Sequence, residues 1–164
     1  MSTQVDSSYL KGFISSAQQT DPLPSNIIKA YEIVHPNTLE QEVWDNIFNY
    51  NSPRYPLHYR ALAKRILHEN PDRAWPYRLA LLMVEIELER NLSAAQTVAA
   101  NFNNIDYLYN NMGPSDAAIY YYNKSLEELD FEESLGLIVL STDPAKFNPH
   151  MNPGALETEL QKYH

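Results

Sequence analysis

Proline sets how far any regular element of this chain can run. Its eleven prolines fall at 22, 24, 36, 53, 56, 71, 76, 114, 144, 149 and 153. Proline pushes the residue before it out of the α region, and inside a helix it removes a hydrogen bond. The chain is therefore divided into short segments. Within them apolar residues recur every three or four positions, the period of an amphipathic helix.

The first such stripe is Tyr9, Leu10, Phe13, Ile14 and Ala17, in a helix over about 3–19 that Asp21-Pro22-Leu23-Pro24 ends. A second helix starts at Ser25, turns Ile27, Ile28, Tyr31 and Val34 inward, and stops at His35-Pro36. Thr38-Leu39-Glu40-Gln41 reads as a capping box for a third, over about 38–50, with Leu39, Val43, Trp44, Ile47 and Phe48 buried. A fourth over 57–69 places Tyr59, Leu62, Ala63, Ile66 and Leu67 on one face. The fifth, 72–90, tolerates Pro76 only near its first turn. From Leu79 to Leu88 it is apolar nearly all round, which predicts a central, buried helix. Val84 to Glu89 alternates as a strand does, but turn residues and a partner strand are missing, so helix is kept. Further helices are expected over 93–111, from Ser115 or Asp116 to Leu129, over 132–140, and over 154–163. The sum is an all-α, compact multi-helix domain of eight or nine helices, a single domain over 1–164.

With 44% hydrophobic and 20% charged residues the chain can build a core. It has no cysteine, which excludes disulfides, thiolate catalysis and Cys-ligated zinc. Residues 1–6 lack the basic and apolar regions of a signal peptide. The longest apolar run, Leu79 to Val84, is too short to span a bilayer. A cytoplasmic location is the expectation.

The net charge is −9, and it is uneven. Residues 1–50 carry −4 and residues 79–164 carry −9, while 51–78 carry +4 through Arg54, Arg60, Lys64, Arg65, Arg73 and Arg78. A surface of this sign repels nucleic acid and draws a basic partner.

The four glycines, 12, 113, 136 and 154, are too far apart for a phosphate-binding loop, which needs backbone N–H groups to converge. None of the five histidines pairs at metal-ligand spacing, and no Gly-x-Ser-x-Gly occurs. Neither a metal nor a cofactor is expected. One carboxylate pair stands out. Glu85 and Glu89 lie one turn apart on the apolar fifth helix, where burial would raise their pKa values toward general-acid duty.

Two other features point to binding. Glu127, Glu128, Asp130, Glu132 and Glu133 crowd one helix junction, a docking patch for a basic surface. Tyr120, Tyr121 and Tyr122 point about 100° apart on a helix, so at least one is left exposed, and tyrosine suits interface hot spots.

Between about Ala99 and Glu132, the residues Phe102, Ile105, Tyr109, Gly113, Ala118 and Tyr122 fall at the large, small and turn positions of a known repeat. The stretch resembles a tetratricopeptide (TPR) helical hairpin. Asp106 and Asp130 depart from that pattern, and no second repeat is in register. The resemblance implies a protein-binding concave face and no chemistry.

The expectation is a non-enzymatic module, an acidic helical partner that occludes or escorts another protein as an immunity protein, inhibitor or adaptor does. Tyr120, Tyr121, Glu127, Glu128, Asp130, Glu132 and Glu133 would form its partner-binding face, and self-association stays compatible with it. Two alternatives stand beside it: a nucleic-acid-binding domain using 54–78, and a cofactor-free enzyme with dispersed catalytic residues.

Overall fold

A computed structural model describes residues 7–44, 57–69 and 76–163 of the chain. Among them are eight α-helices and no strand, so the all-α expectation holds. The helices are α1 (Ser7–Gln18), α2 (Ser25–Val34), α3 (Leu57–Glu69), α4 (Tyr77–Asn91), α5 (Ala94–Phe102), α6 (Gly113–Tyr122), α7 (Phe131–Thr142) and α8 (Ala155–Leu160). None of the described helices is long and apolar enough to cross a membrane. Backbone contacts divide the chain into two compact units, Met1–Pro22 with Asn37–Asn101, and Leu23–Pro36 with Phe102–His164.

The first unit is built on α3 and α4. Leu62, Ala63, Ile66 and Leu67 of α3 share one core with Ala80, Leu81, Val84 and Leu88 of α4, and Ile14 and Ala17 of α1 join it. Pro76 stands immediately ahead of α4, where its missing N–H costs nothing. The apolar circumference of α4 is only partly covered, since Leu79 and Met83, one turn apart, remain exposed. Residues 38–43 form turns and coil rather than the start of the expected third helix, and its remainder from 45 on lies outside the described residues. Val43 is buried there as its stripe requires, whereas Trp44 is 53% exposed.

His58 is the odd member of this core. It is 1% exposed, its two ring nitrogens find no hydrogen-bond partner, and it packs on Tyr59 with ring centroids 4.2 Å apart. Burial without a partner pushes its pKa down to about 4.

The second unit is centred on α7, whose residues from Ser134 to Leu140 are all buried. α2, α6 and α8 pack on it. Asn26 of α2 pins this arrangement. Its amide donates to the carbonyls of Leu126 and Leu129 and to the Ser134 hydroxyl at 3.0–3.2 Å. Gly136 admits the Tyr122 hydroxyl, which would lie only 2.5 Å from a Cβ at that position.

The TPR-like hairpin is not formed. α5 ends at Phe102 instead of running on to 111, and α6 begins only at Gly113. Between them Leu108, Tyr109 and Asn110 all take positive φ, 71°, 54° and 64°. Each costs about 1 kcal/mol or more in an L-residue. The loop offsets this with bonds of its own. The Leu108 N–H donates to Asp106 Oδ1 at 2.8 Å, the Tyr107 N–H to the Asn111 carbonyl at 2.9 Å, and an Asp106–Met112 bridge closes its ends.

Two outcomes follow. Asn26→Leu takes the donor from the Leu126 and Leu129 carbonyls, while the Ser134 hydroxyl keeps its bond to the Asp130 carbonyl, and should lower unfolding free energy by about 2 kcal/mol or more, measured by urea denaturation. His58 is depressed in the folded chain, so its contribution is present above the unfolded value of 6.5 and is lost as pH falls toward about 4. Lowering the pH across that window should destabilise the wild type by roughly 3 kcal/mol more than His58→Leu. Parallel profiles for the two proteins would refute the assignment.

Candidate active site

Glu85 and Glu89, singled out by their spacing on α4, have different surroundings. Glu85 points into the first unit and is 0% exposed. Its Oε1 accepts from Arg60 Nε of α3 at 2.7 Å, while Oε2 has no hydrogen-bond partner. Burial raises its pKa; the Arg60 hydrogen bond and charge, with Lys64 beyond, pull the other way and do not cancel it. A carboxylate so enclosed cannot meet a substrate. It ties α3 to α4.

Glu89 lies one turn further on, half-buried at the rim. Its Oε1 accepts the Val43 N–H. There it borders an open depression of about 430 Å³, together with Leu39, Glu40, Gln41, Glu42, Tyr59, Leu92, Ser93 and Ala94. Tyr59 donates its hydroxyl to the Leu92 carbonyl at 3.2 Å. Burial first, then the charge of Glu89, push that hydroxyl up to about 12. Three carboxylates thus surround a polar hollow. Such a hollow can accept hydrogen bonds from a polyol and take a proton from one of its hydroxyls. Glu40 and Glu42 were not found by sequence reasoning. Only the Thr38-to-Gln41 motif marked their neighbourhood, and it forms a turn, with the Gln41 N–H donating to the Thr38 carbonyl at 3.3 Å.

The acidic residues expected to meet a partner lie in the second unit, and Glu128, Asp130 and Glu133 among them serve helix starts. Glu128 accepts the Ser125 N–H at 3.0 Å, and that bond and the Ser125 hydroxyl hold its pKa below the ordinary carboxylate value. Asp130 caps α7 by accepting the Glu133 N–H at 2.9 Å, and Glu133 accepts the Asp130 N–H in return. Glu133 also pairs with Lys124 at 2.6 Å. Glu127 and Glu132 are exposed. Tyr120 is 44% exposed, while Tyr121 is half-buried. In the basic segment, Arg60 is committed to Glu85, and Arg54, Arg73 and Trp75 lie outside the described residues.

Arg60→Met leaves a buried charge uncompensated and should cost about 3 kcal/mol at neutral pH. The loss should shrink in acid, where Glu85 takes up a proton. Arg60→Met combined with Glu85→Leu should recover most of it; a purely additive double mutant in urea denaturation would show that the two do not act as a pair.

Comparison with known proteins changes the functional expectation. No curated protein matches the chain. The Transglycosylase family model, that of a peptidoglycan glycosyltransferase family, matches residues 60–163. The match takes in α3 from Arg60 onward, Glu85, Glu89 and the whole of α5 to α8. It overturns the non-enzymatic protein-binding module and with it the immunity, inhibitor and adaptor roles, because the family is one of enzymes. It also replaces the TPR resemblance over 99–132, in keeping with the strained loop found where a tight helical turn was expected. With well over half of its length matched, the chain belongs to the Transglycosylase family.

Proposed function

We propose that this chain is a peptidoglycan glycosyltransferase that extends a glycan strand by moving a sugar from an activated donor onto an acceptor hydroxyl. The family match over residues 60–163 carries this reading. The hollow beside α4 supports it, since its carboxylates suit a hydroxyl-rich ligand. Glu89 acts as the general base. Its carboxylate takes the proton of the acceptor hydroxyl as that oxygen forms a bond to the donor's anomeric carbon. The bond from that carbon to the leaving phosphate oxygen breaks, and its electron pair departs with the phosphate.

The surrounding charge supports one direction of binding. Glu40, Glu42 and Glu89 repel an anionic leaving group, so the hollow receives the acceptor and the donor's phosphates lie away from it. Glu85 holds α4 in place against α3 and touches no reacting atom.

The test is polymer formation from a fluorescent polyprenyl-diphosphate-linked disaccharide-peptide, the activated unit of peptidoglycan, resolved by gel electrophoresis. Wild-type protein should make polymer. Glu89→Gln keeps an acceptor for the Val43 N–H and should still fold, yet lose about a hundredfold or more in rate. A wild type that makes no polymer sinks the proposal; a fully active Glu89→Gln removes Glu89 from it.

A further inference from the structure

The second unit carries a group of aromatic rings that the hollow beside α4 does not use. Among Tyr109, Tyr120, Tyr121 and His150, five ring pairs, all but Tyr109 with Tyr121, stand with centroids 4.9–6.2 Å apart. Tyr109 and Tyr120 are stacked within 25° of parallel, and Tyr121 and His150 within 26°. Large rings normally cluster in a core. Here Tyr109 is 50% exposed, Tyr120 is 44% exposed, and His150 is exposed as well.

The cluster is built, not incidental. Asn148, 0% exposed, donates from Nδ2 to the Tyr121 hydroxyl at 2.7 Å and accepts the His150 N–H on Oδ1 at 2.9 Å. One buried amide therefore holds the Tyr121 hydroxyl and the His150 backbone. The Tyr121 hydroxyl in turn donates to the Tyr107 carbonyl at 2.7 Å. Tyr109, which stacks on Tyr120, stands in the stretch 108–110 whose backbone is held in the left-handed region. Strain maintained to bring rings together at the surface is more easily explained by what they bind than by core packing.

The chemistry of the rings selects the ligand. A pyranose presents C–H bonds on its flat face and hydroxyls around its rim. An aromatic face is negative and attracts those C–H groups, while phenol and imidazole edges and the exposed carboxylate of Asp106 take the hydroxyls. We infer that the Tyr109–Tyr120–Tyr121–His150 platform is a saccharide-binding subsite that stacks sugar rings of the glycan strand. The choice of a glycan rests on the transferase reading; the ring geometry does not.

The probe is tetra-N-acetylchitotetraose, titrated into the full chain and followed by aromatic carbon–proton NMR. The resonances of Tyr109, Tyr120 and His150 should shift together and saturate. Tyr120→Ala and Tyr109→Ala should each weaken binding by about tenfold or more, as loss of a stacking ring does. Tyr120→Trp should retain it, and Tyr77→Ala, which removes a comparably exposed ring from α4, should change nothing. Absence of shifts at millimolar saccharide, shifts confined to other residues, or full affinity in both alanine variants would each overturn the inference. The readout is binding, so it separates from turnover. A chain that binds the saccharide here yet makes no polymer keeps the platform and loses the transferase reading. Polymer formation with no binding here does the reverse.

Discussion

A carboxylate removed from water needs a compensating cation, and in the first unit that need fixes how two helices meet. Glu85 is fully enclosed, and Arg60 on the neighbouring helix is the cation that answers it. Guanidinium geometry is directional, so the pair sets the register of α3 along α4 as apolar packing alone would not. Once that register is set, the next turn of α4 brings Glu89 to the rim beside Val43 and Tyr59. A polar pair inside the core thus positions a polar group at the surface. Two glutamates four residues apart have separate tasks because one helical turn carries the chain from the interior to its edge.

The second unit uses its acidic residues differently. Like charges crowded along a chain repel, and that repulsion is reduced when each faces a positive partial charge. The first N–H groups of a helix supply such a charge. Glu128 ends a single 3-10 turn, Leu126–Glu128, and reaches back to the Ser125 N–H at its start, while Asp130 and Glu133 lie at the start of α7, with Lys124 completing the local balance. What looks in sequence like a charged patch is, for these three, the termination chemistry of two neighbouring helical segments.

The sequence disclosed the helices well where an apolar stripe ran between prolines. α1, α2, α3 and α7 follow their stripes closely, and Pro76 marked the start of α4. It disclosed the loop at 103–112 poorly, because Leu108 and Tyr109 have no turn preference and their left-handed backbone is imposed by surrounding hydrogen bonds. The site was half legible. Glu85 and Glu89 were visible as a pair on one helix, whereas Glu40 and Glu42 join Glu89 from some fifty residues away, a distance no local spacing can encode. The family was not legible at all. Its match covers residues 60–163, and none of the spacings read from the chain pointed to it.

The second unit is discontinuous in the chain: α2 belongs with α7, yet the whole of 37–101 intervenes. Asn26 and Ser134, which bond to each other, are 108 residues apart. Closing a loop of that size carries an entropy cost that only native contacts can repay, and such distant pairing is slow. During synthesis α2 emerges before α7, with Ile27, Ala30 and Tyr31 facing a core that does not yet exist. Among the described residues, the core partners of the segment over 37–101 lie within it, apart from those on α1, which precede it. Assembly is therefore ordered by the ribosome: the inserted unit can consolidate first, and α2 is left with an uncovered apolar face until α7 leaves the exit tunnel.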